Sequence, residues 1–142
     1  MSMSFREKSQ WIVATAMLVV FAVYFSMVLP AHAADVAPGD VARFALAVFA
    51  LVVLQGAGHA ALAIASRREL ARGVQRDERD AWIDLRATRV GAHVLAVGVF
   101  AALSVALLVP GNFAFMHVLL GFWVAAHLAS VATQLVLYRR GA

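Results

Sequence analysis

Apolar residues gather into four long runs, residues 11–29, 41–65, 91–109 and 113–138, with short polar or turn-forming stretches between them. At about 1.5 Å rise per residue, each run is long enough to cross a hydrocarbon layer roughly 30 Å thick. Arg43 is the one charged residue inside them. Pro30, then Ala37-Pro38-Gly39-Asp40, then Pro110-Gly111-Asn112 punctuate the pattern. The last break is so short that the third and fourth runs must form an antiparallel hairpin. The pattern predicts an all-α fold: a polytopic membrane protein, one membrane domain over residues 1–142, built as a four-transmembrane-helix bundle.

Composition strengthens this. The chain is 63% hydrophobic and 14% charged, with a mean hydropathy of +0.84, where a soluble domain is nearer half apolar and a quarter charged. One core of 142 residues cannot hide that excess, so most of it must face lipid. The absence of cysteine excludes disulfides, thiolate metal sites and thiol catalysis.

Arginine and lysine then set the direction of the helices. Of twelve basic residues, Arg6, Lys8, Arg67, Arg68, Arg72, Arg76, Arg79, Arg86, Arg89, Arg139 and Arg140 flank one side of the predicted spans, and Arg43 alone the other. The positive-inside rule places both termini and the 66–90 segment in the cytoplasm of a bacterial inner-membrane protein. It also accounts for the net charge of +4 without nucleic acid. A rival reading takes Ala31-His32-Ala33 as a signal-peptide cleavage site, but the preceding run is longer than the usual ~7–15-residue apolar region.

Residues 66–90 are the strongly charged stretch. If helical from about Gln75, they run into helix three as a cytoplasmic amphipathic extension, since no proline intervenes. At the helical period, Arg72, Arg76, Arg79, Arg86 and Arg89 make a basic stripe beside Trp82, while Asp77, Asp80 and Asp84 make an acidic one. Two readings follow. An interfacial helix would set its arginines on anionic headgroups with Trp82 at headgroup level. A docking helix would offer Asp77, Glu78, Arg79, Asp80 and Asp84 to a cytoplasmic protein. A cation site on the aspartates lacks neutral oxygen ligands.

The segments Met3-Ser4-Phe5-Arg6-Glu7-Lys8-Ser9, Asp77-Glu78-Arg79-Asp80-Ala81-Trp82-Ile83-Asp84-Leu85-Arg86-Ala87 and Leu137-Tyr138-Arg139-Arg140-Gly141 carry a resemblance. The chain resembles, over essentially its whole length, the small four-helix bacterial membrane protein family of unknown function (DUF2178-like). The resemblance implies four helices, no established activity, and a pairing with a small helix-turn-helix regulator. It supplies no functional residues.

Polar residues inside a bilayer are the default place to look for function. His59, His93 and His127 are expected in one layer near the cytoplasmic side, His117 near the outer end, and His32 in the outer loop. Gln55 and His59, then His93 and Ser104, then Trp123, His127, Ser130 and Gln134, then Thr15 and Ser26, repeat on single helix faces. Each helix thus carries a polar seam, and a bundle that turns all four inward is the expected arrangement. Gly56, Gly58, Gly91, Gly98 and Gly121 would permit close approach, within one chain or in a homo-oligomer.

In the first reading these groups are interhelix hydrogen-bonders, with no cofactor and no metal. The alternative is a redox or transport module: a haem b on two of His59, His93 and His127, a metal on all three, or a proton or solute path along the seam. No Ser/His/Asp spacing, His-Glu-x-x-His, phosphate loop or intramembrane acid pair points to an enzyme. The expected function is a non-enzymatic interaction or regulatory protein of the inner membrane.

Overall fold

The computed structural model describes residues 5–31, 34–67 and 78–140. It is a helical bundle of α1 (Phe5–Val28), α2 (Pro38–Ala65), α3 (Glu78–Leu108) and α4 (Phe113–Arg139), with a single 3₁₀ turn at Leu29–Ala31. All four helices are long and apolar enough to cross a membrane. His32, Ala33 and residues 68–77, including Asp77, lie outside the described residues.

Local chemistry sets the helix ends. Leu29 precedes Pro30, whose ring disfavours the α conformation at the preceding residue, and α1 gives way there to the 3₁₀ turn. Pro38 opens α2, where a missing N–H costs nothing. Ala37, at the N-cap, has no side-chain acceptor. Asp40 compensates in part: its Oδ2 accepts the Ala37 N–H at 3.1 Å and its Oδ1 accepts from Arg43 Nη1 at 2.8 Å. Towards its start, α3 takes in charged residues as well as the apolar run, so the extension from Glu78 and the span form one unbroken rod.

α3 and α4 make the most extensive contact, α1 packs on both α2 and α4, and the helices associate in the sequence α2–α1–α4–α3. Gly91 and Gly98 explain the tight hairpin. A Cβ on Gly98 would overlap the side chain of Phe122, and one on Gly91 would stand 3.0 Å from the Ala126 carbonyl oxygen. Ala87 and Ala102 are buried on the same face. The spacing of Gly91 and Gly98 by seven keeps that seam on α4. α1 supplies the other core through Met17, Val20, Phe21, Tyr24 and Val28.

α2 buries only Asp40 and Ala47, and its Leu46, Phe49 and Val52 are exposed as lipid-facing residues would be. Gly58 faces Ile12 of α1, whose Cγ2 would lie 2.6 Å from an added Cβ, whereas Gly56 has open space around it.

The end opposite the charged one is closed by hydrogen bonds between loops. Val36 N–H donates to Asn112 Oδ1 at 2.8 Å, Asn112 N–H to Asp35 Oδ1 at 3.2 Å, and Phe113 N–H to the Ala34 carbonyl at 3.1 Å. Asn112 holds the neighbouring loop with the side chain that could have capped α4. Gly111, at φ 84°, brings its backbone against Ala34 where a side chain would collide. This latch joins the α1–α2 connection to the α3–α4 turn.

Gly98→Ala should destabilise the hairpin by about 1–3 kcal/mol, as overpacking at a fixed contact does, whereas Gly56→Ala should be close to neutral. Denaturant titration of both variants in mild detergent, followed by tryptophan fluorescence, checks the contrast.

Candidate functional site

The charged end is built on α1 and α3. Arg6, the second residue of α1, reaches Asp80 Oδ2 with Nε at 3.6 Å and Asp84 Oδ2 with Nη1 at 3.9 Å. Glu7 beside it accepts from Arg139 Nε of α4 at 3.4 Å, and the Arg139 guanidinium also lies over Trp11, 5.9 Å from the ring centre. Two consecutive residues of α1 therefore tie α3 and α4 together. The pairs are long and partly exposed, and pairs of this kind contribute about 0.2–1 kcal/mol each. Their effect is to fix orientation.

The acidic candidates divide. Asp80 and Asp84 turn towards Arg6 and are half-buried, and Glu78 and Arg79 at the tip are exposed. Asp77 lies outside the described residues. Fully buried Ile83 and Ala87 separate two flanks of α3. On the flank away from the aspartates stand Trp82, Arg86, Arg89 and His93, with the Arg86 guanidinium 5.0 Å from the centre of the Trp82 ring. With Leu85 and Val90 these residues line a shallow concavity of about 500 Å³.

The three histidines expected in one layer are not brought together. His59 Nδ1 lies 2.7 Å from the Gln55 carbonyl, so this nitrogen carries the proton and Nε2 accepts from Ser9 Oγ at 2.9 Å. His93 donates from Nδ1 to the Arg89 carbonyl at 2.6 Å and is exposed on α3. His127 is exposed on α4 with its ring edge-on to Trp123, centres 4.6 Å apart. Among the described residues, no three His, Asp or Glu side chains converge as a metal site.

The polar seams also do not all face inward. Thr15, Ser26 and Ser104 are exposed. Ser26 donates to the Val23 carbonyl and Ser104 to the Phe100 carbonyl of their own helices, the local bond that frees a hydroxyl from needing an interhelix partner. Gln55 and Ser130 are half-buried, and Ser130 packs beside Gly91. Gln134 is the costly member: its Oε1 is buried with no hydrogen-bond partner among the described residues.

The buried polar pair is one that helix phase did not single out. His117, 8% exposed, donates from Nδ1 to the Phe113 carbonyl at 2.7 Å, and its Nε2 accepts from the Tyr24 hydroxyl at 3.0 Å. The two rings are nearly parallel. Both residues, with Asp40, line a cavity of about 620 Å³ whose wall includes Phe44, Met116 and Trp123. The lining comes from α1, α2 and α4, with Leu95 of α3. A signal for the pair was available: Tyr24 stands four residues before the end of α1, and His117 four residues after the start of α4. Equal distance from one membrane surface puts them at one depth.

Tyr24→Phe should destabilise the bundle by about 1 kcal/mol, the ordinary worth of a hydrogen bond between helices in a membrane, and His117→Phe by a comparable amount. A double-mutant cycle in detergent should give a coupling energy of the same size; additive losses would show that the pair does not act as a unit.

Comparison of the chain with protein-family models, with curated proteins and with solved structures finds no match.

Proposed function

We propose that this is a non-enzymatic interaction protein of the bacterial inner membrane, with both termini and the charged end in the cytoplasm, that holds the start of α3 as a platform for a cytoplasmic protein. The observation that carries the reading is the brace at the charged end. α3 runs unbroken from Glu78 into the membrane span, and Arg6 fastens it through Asp80 and Asp84. A free amphipathic helix at a bilayer surface would be mobile relative to its span. Here the tip, Glu78 and Arg79, is exposed at the start of a helix that continues into its span.

Within this proposal the acidic residues have two tasks. Asp80 and Asp84 hold the rod, and Glu78 and Arg79, together with the segment before them, meet the partner. The resemblance in the Asp77–Ala87 region to small four-helix membrane proteins supports a small helix-turn-helix regulator as that partner. The orientation rests on the basic residues, eleven of twelve of which flank the charged end. A redox or transport role has weaker support, because His59 already accepts from Ser9 and His93 and His127 face outward.

The chain has no cysteine, so single cysteines report topology cleanly. Arg79→Cys should react with an impermeant maleimide only after the inner membrane is opened, and Ala34→Cys from the periplasmic side of intact cells; the reverse pattern would invert the protein. For the partner, a photo-crosslinking residue at position 79 should give one discrete protein adduct in cells, reduced several-fold by Arg6→Gln at equal expression. If position 79 gives no protein adduct while topology is intact, the platform reading fails.

A further inference from the structure

We infer that Trp82, Arg86, Arg89 and His93 form a binding site for the phosphate of an anionic phospholipid headgroup. The inference rests on the proposed cytoplasmic placement of the charged end, and deepens it by naming what occupies the flank that Arg6 does not hold.

Charge is the first argument. Around α3, the arginine flank and the aspartate flank lie on roughly opposite sides of the buried Ile83–Ala87 stripe, given about 100° per residue. Asp80 and Asp84 spend their charge on Arg6. Among the described residues, neither Arg86 nor Arg89 has a carboxylate within ion-pair distance, so two exposed guanidinium groups stand one turn apart with no counter-charge among those residues. An anionic headgroup supplies one, whereas a zwitterionic headgroup would bring its own cation to a flank where no described acid receives it.

Depth is the second. Arg89 is the last charged residue before the apolar run that continues to Leu108. A guanidinium at that position stands where lipid phosphates lie, and an exposed tryptophan one to two turns earlier belongs in the same zone. Shape is the third. Arg86 stacks over Trp82, which restrains its planar fork, and such a fork matches phosphate oxygens in pairs. The His93 ring, held by its bond to the Arg89 carbonyl, closes the deeper side of the concavity, and exposed Leu85 and Val90 give the first methylenes of an acyl chain an apolar surface.

The test is native mass spectrometry of the full chain released from detergent micelles carrying phosphatidylglycerol or phosphatidylcholine. One phosphatidylglycerol should be retained in preference to phosphatidylcholine. Arg86→Gln with Arg89→Gln should weaken that retention roughly thirtyfold, while Arg140→Gln, an exposed arginine of the same end that lies outside the concavity, should leave it unchanged. Arg86→Lys with Arg89→Lys keeps the charge, guards against a misfolded double variant, and should restore most of the retention. Equal retention of the two lipids, or a phosphatidylglycerol adduct indifferent to the glutamine pair, would overturn the site. Full displacement by millimolar inorganic phosphate would overturn the lipid assignment in favour of free phosphate. Because purified protein is used with no partner present, loss of lipid selectivity and absence of the crosslinked partner are separate failures.

Discussion

The close approach of α3 and α4 is the contact on which the rest of this molecule depends. In a bilayer no hydrophobic force draws one apolar helix to another, so association must come from packing and from polar links. Gly91 and Gly98 remove the side chains that would hold the two backbones apart, and buried Ala87 and Ala102 extend the seam above and below. The short turn at Pro110-Gly111-Asn112 keeps the pair in register. With that hairpin fixed, α1 has a surface to pack on, and α2 needs only α1.

Polar links at the two ends then do what a hydrophobic core does in a soluble protein. At one end the hydrogen bonds of Val36, Asn112 and Phe113 join two connections that are far apart in sequence. At the other, Arg6 and Glu7 reach α3 and α4. Between them the Tyr24–His117 bond ties α1 to α4 inside the membrane, where an unmatched polar group is expensive. None of these contacts is strong alone. Together they hold α3 to α1 at the charged end, although the helices associate in the sequence α2–α1–α4–α3, with α3 at the far side of α4.

That arrangement changes what the charged segment of α3 can do. A helix with aspartates on one flank and arginines on the other could present either. Because α1 carries Arg6 where the aspartates pass, the acidic flank turns inward and the basic, tryptophan-bearing flank turns outward. The proposed platform and the proposed lipid site are consequences of that one choice of face.

The sequence by itself determined the four helices long and apolar enough to span a membrane, the antiparallel hairpin and the segregation of charge to one end. These follow from run length, breakers and side-chain type, which act locally and leave an imprint on consecutive residues. It also carried the continuity of the charged segment with α3, since nothing in residues 78–108 breaks a helix. What only the tertiary structure decided is which face of each helix meets another. Thr15, Ser104, His93 and His127 share helical phase with polar neighbours yet are exposed; for Ser104 and His93 the hydroxyl and the imidazole bond the carbonyl four residues back in their own helix. Tyr24 with His117, and Arg6 with Asp80 and Asp84, are pairs separated by most of the chain. Their meeting depends on depth and on the order in which the helices pack, and neither is written in the periodicity of a single helix.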